Sequence, residues 1–151
     1  MRLGDKIPSI PSELLTPIGL SSDFHIGNKV VFYFYPKDNT PGCTAQACNL
    51  RDNFTTLQKE NVMIIGISAD SMSSHEKFIS KYELPFPLIA DPEKKLITLF
   101  GVWGPKKFMG KTYDGIHRKS FLFDETGQLI DIIEKPKTKD HAAEILERYK
   151  K

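Results

Sequence analysis

Six consecutive β-branched and aromatic residues, from Val30 to Tyr35, limit the fold of this chain more than any other stretch. A short apolar run that ends at a proline, here Pro36, is typical of a β-strand buried on both faces. After Pro41 and Gly42 the residue types change to Ala, Gln, Leu and Arg, which favour a helix. The stretch therefore predicts a buried strand that leads through a short loop into a helix.

The two cysteines of the chain, Cys43 and Cys48, both follow this loop. Cys43 falls in the first turn of the predicted helix, where free backbone N–H groups and the positive end of the helix dipole stabilise a thiolate. Thr40 can turn its hydroxyl toward the sulfur or toward a bound oxygen, and Pro36 and Pro41 stiffen the loop. Position alone favours a reactive thiol at Cys43 and leaves open an inert, buried one.

The spacing of the two cysteines limits how they can react with each other. In a continuous helix, the Cα atoms of residues five apart are separated by about 8.7 Å, whereas a disulfide needs less than about 7 Å. Cys43 and Cys48 can therefore form a disulfide only if the first turns of the helix unwind. Spacing alone leaves two interpretations of Cys48 open: a partner in such a redox switch, or a core-facing residue without a partner.

Length and composition favour one domain over residues 1–151, with enough apolar sequence for a substantial core. The net charge of +2, with both signs dispersed, offers no electrostatic basis for binding nucleic acid or a membrane surface. No apolar run approaches the roughly 18 residues of a membrane span, and the first fifteen residues have no apolar core of the kind that predicts a secretory signal, so none is expected. We therefore expect a cytoplasmic protein, in which a cysteine pair is either inert or redox-active.

Apolar periodicity and turn residues predict alternating strands and helices. Residues 1–17 are expected to form an extended leader with a short hairpin, residues 21–24 a loop with one helical turn, and residues 101–115 a loop. The predicted strands are 30–35, 62–69, 88–90, 120–123 and 128–134. Two helices are predicted at 43–60 and 92–100, a third is capped by Ser73 or Ser74 and ends at Tyr82, and a fourth is capped by Thr138 or Asp140 and ends at Tyr149. This order indicates an α/β fold, with a central mixed sheet and helices on both faces.

From their positions in the sequence alone, the remaining polar and aromatic residues are expected to have structural roles rather than catalytic or metal-binding ones. Two cysteines are too few for a zinc site and the histidines are scattered, so no metal is expected. Lys37 and Asp38 are expected to face solvent, and Arg118 to lie on the surface or to pair with a carboxylate. The loop is expected to pack under its own aromatic residues, Trp103 and Phe108, which could instead form an apolar rim. The histidines are His25, His75, His117 and His141.

Two separated stretches resemble one known family. Pro36, Thr40 and Cys43 match the peroxiredoxin motif Pro-x-x-x-Thr/Ser-x-x-Cys, and the longer string YPKDNTPGCTAQACNLRD is similar to the peroxiredoxin Q, or bacterioferritin comigratory protein, branch. The second stretch is GVWGPKKFMGKTYDGIHRKSFLF, at residues 101–123. Together with the order of elements, the likeness covers nearly the whole chain.

The resemblance implies a thioredoxin-like fold and thiol-dependent reduction of hydrogen peroxide and organic hydroperoxides, without a metal or organic cofactor. Cys43 would be the cysteine that attacks the peroxide, and Thr40 would hydrogen-bond the bound peroxide. Pro36 would shield the thiolate, and Arg118 would stabilise it and polarise the O–O bond. Cys48 falls where this branch often places the resolving cysteine, which forms a disulfide with the oxidised Cys43.

The resemblance also implies partners. Thioredoxin or a similar dithiol would reduce the disulfide, small peroxides would be the substrates, and a monomer is expected because an intramolecular disulfide needs no second chain.

Two alternative functions would use the same two cysteines. A general thiol–disulfide oxidoreductase would ordinarily have a Cys-x-x-Cys spacing, which this chain lacks. A redox sensor or holdase would use helix unwinding to expose apolar surface to a partner, and the sequence leaves that added role open.

Overall fold

The computed structural model describes residues 1–10 and 26–150 of the chain. The strands are β1 (Lys29–Phe34), β2 (Val62–Ser68), β3 (Leu88–Ala90), β4 (Trp103–Phe108), β5 (Lys111–Ile116), β6 (Lys119–Phe123) and β7 (Leu129–Ile133). The helices are α1 (Pro41–Asp52), α2 (Phe54–Lys59), α3 (Met72–Tyr82), α4 (Lys95–Leu99) and α5 (His141–Tyr149). The five predicted strands are confirmed to within one residue at each end.

The main sheet has five strands in the order β3-β2-β1-β6-β7. β1 and β2 are parallel, as are β2 and β3, whereas β6 runs antiparallel to β1 and β7 antiparallel to β6. The sheet is therefore mixed, as the order of predicted elements indicated. β1 occupies its centre, so the loop that follows β1 emerges from the middle of one sheet edge.

Side chains of β1 alternate between two buried clusters on opposite faces of this sheet. Val31 and Tyr33 belong to the cluster covered by α1, α2, α3 and α5, and Phe32 and Phe34 to the cluster covered by α4. Each of these four side chains is at most 1% exposed. The predicted burial of this strand on both faces, with helices on each side, is confirmed.

The single helix predicted over 43–60 is wrong, because Asn53 divides it into α1 and α2. The Asn53 side chain donates a hydrogen bond to the carbonyl of Asn49, at 2.8 Å, and its backbone has left the helical region. Asparagine side chains that bond to nearby backbone compete with helix continuation. The Asn53 break therefore limits the helix that carries both cysteines to Pro41–Asp52.

The helix predicted to begin at Pro92 begins three residues later, at Lys95. Lys94 has a left-handed backbone, and Lys95 and Ile97 donate their backbone N–H groups to the carboxylate of Asp91. Asp91 therefore does cap a helix, as predicted, but across an intervening turn.

The loop predicted over 101–115 is also wrong, since β4 and β5 form a separate two-stranded sheet. Met109 and Gly110 form its turn, both with positive φ, which suits the twist of a two-residue hairpin. Its strands carry few buried residues, so the alternation that marks a half-buried strand is missing. Trp103 is 40% and Phe108 65% exposed, so neither ring is buried as a loop packed under these aromatics would require.

The N-terminal leader contributes to the edge of the main sheet. Lys6 forms an isolated bridge with Gln128, and the backbones of Gly4 and Asp5 bond to Leu129. The predicted helical turn at 21–24 and the end of the leader lie outside the described residues. Among the described residues, no helix is long and apolar enough to cross a membrane.

Gly66 provides a test of packing at the centre of the main sheet. A Cβ atom at this position would lie 2.6 Å from Leu88 Cδ2 and 2.8 Å from Tyr33 Cζ, because both side chains cross over the glycine. We predict that Gly66→Ala lowers the free energy of unfolding by about 2 kcal/mol, measured by urea denaturation. Gly104→Ala is the control, since its Cβ would meet His117 Nε2 at an ordinary 3.5 Å. Equal stability of the two variants would contradict the prediction.

Candidate active site

Cys43 lies in the first turn of α1 and is 2% exposed. Thr40 is the N-cap residue with an extended backbone, and its carbonyl accepts the first helical bond from Thr44 at 2.8 Å. Pro41 follows at the start of the helix, where its missing N–H costs nothing. The sulfur is thus buried beside the end of the helix that has free N–H groups and a positive dipole.

Arg118 reaches this thiol from 75 residues further along the chain. One terminal nitrogen of its guanidinium lies 3.2 Å from Cys43 Sγ, and the other donates to Gln46 Oε1 at 2.7 Å. The sheet explains the contact, because Lys119 at the start of β6 pairs with Phe34 at the end of β1. The antiparallel register therefore places Arg118 next to the loop that leads to Cys43. From position alone, a surface or carboxylate-paired arginine was expected instead.

Two further residues of α1, Gln46 and Gly42, lie against the guanidinium of Arg118. Gln46 is fully buried one turn after Cys43, and its amide oxygen accepts the hydrogen bond from Arg118. A Cβ on Gly42 would lie 3.2 Å from the nitrogen of Arg118 that contacts the sulfur. Sequence reasoning assigned no chemistry to Gln46; its place one helical turn from the cysteine was the available signal.

The remaining predicted site residues lie around this contact. The hydroxyl of Thr40 donates to the carbonyl of Lys37 at 2.8 Å, and Pro36 is half-buried at the start of the loop. Cys48 is half-buried in the same continuous helix as Cys43, and both cysteines are free thiols. The structure thus brings Cys43 and Arg118 into contact, and it keeps Cys48 on a helix that holds it away from the other sulfur.

Asp38 is buried, which corrects the expectation that it faces solvent. The hydroxyls of Tyr35 and Ser74 donate to its carboxylate at 2.6 and 2.8 Å, and His75 Nδ1 lies 2.7 Å from it. Lys37 is exposed, as expected. The carboxylate is buried because these three donors replace the hydrogen bonds that water would provide.

The same network bonds the loop to two other elements. The backbone N–H of Asp38 donates to Asp70 at 2.8 Å, and Ser68, at the end of β2, donates its hydroxyl to the same oxygen at 2.7 Å. His75 Nε2 lies 3.0 Å from the carbonyl of Ile89 in β3. The loop between Pro36 and Thr40 is therefore held to the ends of β2 and β3 and to α3.

Among the described residues, Asp38, Asp70 and His75 are the one group whose potential metal-ligating atoms lie close together, within 4.8 Å. Each nitrogen of His75 already faces an oxygen acceptor, and the Asp38 carboxylate has three donors. We therefore interpret this group as a hydrogen-bond network that supports the loop.

The pKa values of two buried groups near the site, Asp38 and Tyr33, are shifted in opposite directions. Burial tends to raise the pKa of Asp38, but the hydrogen bonds from His75, Tyr35 and Ser74 outweigh it and hold the pKa below its usual value. Burial raises the pKa of Tyr33 well above its usual value, and negative charge at Cys43 and Asp38 raises it further. Tyr33 is therefore a neutral phenol beneath the site, while Asp38 is a carboxylate.

The fold and the buried thiol define a thioredoxin-fold thiol enzyme, and comparison with known proteins identifies its family. Residues 4–132 match the AhpC/TSA family, and the chain belongs to that family. The Haemophilus influenzae putative peroxiredoxin bcp is 51% identical over 126 residues, which are 83% of this chain and 81% of that protein. Escherichia coli K12 peroxiredoxin Bcp is 46% identical over 143 residues, covering 93% and 90% of the two chains.

Solved structures agree with this assignment. A cysteine-to-serine mutant of Xanthomonas campestris peroxiredoxin Q superposes with a TM-score of 0.79 at 36% identity, over 87% of this chain and 83% of that one. A cysteine-to-serine mutant of Xylella fastidiosa PrxQ gives a TM-score of 0.84 at 29% identity, over 99% and 96%. The chain is therefore a peroxiredoxin, an oxidoreductase of the thiol peroxidase class, with the predicted thioredoxin-like fold.

Removal of the Asp38 carboxylate tests the network behind the loop. We predict that Asp38→Asn lowers the free energy of unfolding at neutral pH by about 3 kcal/mol, because the buried side chain of His75 loses its charged hydrogen-bond partner. The depressed pKa of Asp38 stabilises the fold above the unfolded-state value of about 3.9. That contribution is lost as the pH falls through the lower folded-state pKa, so wild type and variant should converge in acid.

Urea denaturation at neutral pH and at a pH well below the unfolded-state value of about 3.9 measures both effects. Asp52→Asn is the matched control, because Asp52 is exposed on α1 and pairs with the neighbouring Arg51. A loss of stability that is equal for both variants, or independent of pH, would contradict the role of Asp38.

Proposed function

We propose that this peroxiredoxin reduces hydrogen peroxide and organic hydroperoxides through Cys43. The observation that carries the proposal is the 3.2 Å contact between the guanidinium of Arg118 and Cys43 Sγ, in the first turn of α1. A buried sulfur with a fixed cation and a helix N-terminus beside it is stabilised as the thiolate, which is the nucleophilic form. Our proposal for Arg118 therefore rests on geometry as well as on the resemblance.

In the first step, the Cys43 thiolate attacks the terminal oxygen of the hydroperoxide. The S–O bond forms as the O–O bond breaks, the sulfur is oxidised by two electrons to a sulfenic acid, and the released alkoxide or hydroxide takes up a proton to leave as alcohol or water. Negative charge thus moves from sulfur to the leaving oxygen. Arg118 and the free N–H groups of α1 are donors that do not need to reorient during this shift.

Thr40 and Pro36 would orient the peroxide and shield the sulfur. The hydroxyl of Thr40 gives its hydrogen to Lys37, so its oxygen would accept the hydrogen of an incoming hydroperoxide. Pro36, in the same loop, has a ring and no N–H group, and it would keep water from solvating the anion. Both roles are proposals that follow from the resemblance and from the position of the loop.

In the second step, the Cys48 thiol would condense with the sulfenic acid, releasing water and forming a disulfide. Because α1 is continuous through both cysteines, this step requires its first turns to unwind. Asn49, immediately after Cys48, bonds through its side chain to the carbonyl of Lys139 and to the N–H of Ala142, at the start of α5. We propose that unwinding ends at this attachment, so that Asn49 is the hinge.

The relatives support the substrates and the reductant only in general terms. One solved neighbour, the X. campestris bacterioferritin comigratory protein, is described by its alkyl peroxide reduction activity; it is 36% identical with a TM-score of 0.78, over 83% of this chain and 79% of that one. By analogy we propose that this chain also accepts alkyl hydroperoxides. Thioredoxin or a similar dithiol would reduce the disulfide by thiol–disulfide exchange, and the chain would act as a monomer.

Substitution of Cys43 tests the identity of the attacking thiol. We predict that Cys43→Ser abolishes peroxide consumption in the presence of thioredoxin, because an alcohol does not replace a thiolate as the nucleophile. Stopped-flow or coupled assays would measure the loss. Cys48→Ser is the matched control and should still consume one equivalent of peroxide. Unchanged turnover in Cys43→Ser would remove this mechanism.

Intact-mass spectrometry tests the proposed disulfide. After one equivalent of hydrogen peroxide, the wild-type mass should fall by about 2 Da, the two hydrogens lost on disulfide formation. The Cys48→Ser variant should instead gain about 16 Da, the oxygen of a sulfenic acid. A gain of oxygen by the wild type would show that Cys48 does not resolve the intermediate.

A further inference from the structure

Lys106, on β4, lines the same groove as Arg118, the arginine that contacts Cys43. Successive residues of a strand point to opposite faces, and Lys106 is half-buried whereas Lys107 is exposed. Lys106 lines a groove of about 420 Å³ together with His117, Arg118 and Lys119. Two adjacent lysines thus have different surroundings, and only the first shares a cavity with the arginine that contacts the thiol.

The contacts of Lys106 hold its ammonium group in place. Its Nζ donates to the carbonyl of Ile116 at 2.9 Å, two residues before Arg118. Its stem crosses Gly115, where an added Cβ would come within 3.1 Å of Lys106 Cδ. The glycine therefore leaves room for the stem, and the hydrogen bond fixes both the ammonium and the backbone that leads to Arg118.

Electrostatic effects connect Lys106 to both members of the candidate site. Burial lowers the pKa of this lysine, the positive charge of Arg118 lowers it further, and negative charge at Cys43 raises it. Two neighbouring cations repel each other, and an anion near both offsets that repulsion. Glu134, the acidic residue of the same groove, is bonded to Lys119 at 2.9 Å.

We propose that Lys106 is a positioning residue for peroxide reduction: it adds positive potential at Cys43 and anchors the backbone that aims Arg118. The inference rests on the proposed function of Cys43. Its consequence is a stronger attraction for negative charge at Cys43 and a faster attack on peroxide, without contact between Lys106 and the reacting atoms.

The test uses a Cys48→Ser background, in which Cys43 is the single thiol. The rate of Cys43 alkylation by iodoacetamide at neutral pH reports the thiolate, and stopped-flow oxidation by hydrogen peroxide reports the first step. Lys106→Met should slow both by about three- to fivefold, the range of a partly exposed charge interaction. Lys106→Arg, which keeps the charge, should recover most of the loss, and Lys107→Met should match the background protein.

Equal alkylation rates for Lys106→Met and Lys107→Met would overturn the proposal. Circular dichroism and the fluorescence of Trp103, the one tryptophan of the chain, check that each variant is folded. If Lys106→Met does not fold, Lys106→Gln replaces it, since it keeps a donor for Ile116 without the charge. Alkylation needs no peroxide, so a protein that alkylates as predicted but consumes no peroxide would refute the peroxidase mechanism and not the role of Lys106.

Discussion

The contact between Arg118 and Cys43 is the interaction on which the candidate site depends. Its 3.2 Å separation exists because β6 runs antiparallel to β1 in the centre of the sheet, so the start of one strand meets the end of the other. Pro41 begins α1 at that same edge. One register thus places a helix N-terminus, a thiol and a guanidinium within a few ångströms of each other.

The loop before Cys43 and the helix that carries it, α1, differ in how they are bonded to the rest of the fold. Behind the loop, the buried carboxylate of Asp38 accepts three hydrogen bonds, two of them from α3. Asp70 and His75 extend this network to β2 and β3. On the other side, α1 is interrupted at Asn53 and bonded to α5 through Asn49. A firmly bonded loop beside a short helix is consistent with the proposed chemistry, in which the loop binds peroxide and the helix unwinds.

The errors of prediction have identifiable causes. The hairpin formed by β4 and β5 was predicted as a loop because its exposed strands lack alternating apolar residues, although their backbones pair in an antiparallel ladder. Asp38 was predicted to face solvent because an aspartate in a loop usually does. Two of its three donors, Ser74 and His75, come from a helix more than thirty residues away, and no local pattern connects them to Asp38.

The sequence by itself determined the buried central strand, the strand-to-helix passage, the thiol in the first helical turn and the peroxiredoxin family, since these depend on short-range preferences and on motifs within one stretch. Only the tertiary structure decided that Gln46 accepts a hydrogen bond from Arg118, that Asp38 is buried, and that Lys106 rather than Lys107 lines the groove beside Arg118. Those contacts depend on strand register and on which elements pack together. That information lies in the pairing of distant segments and not in any one of them.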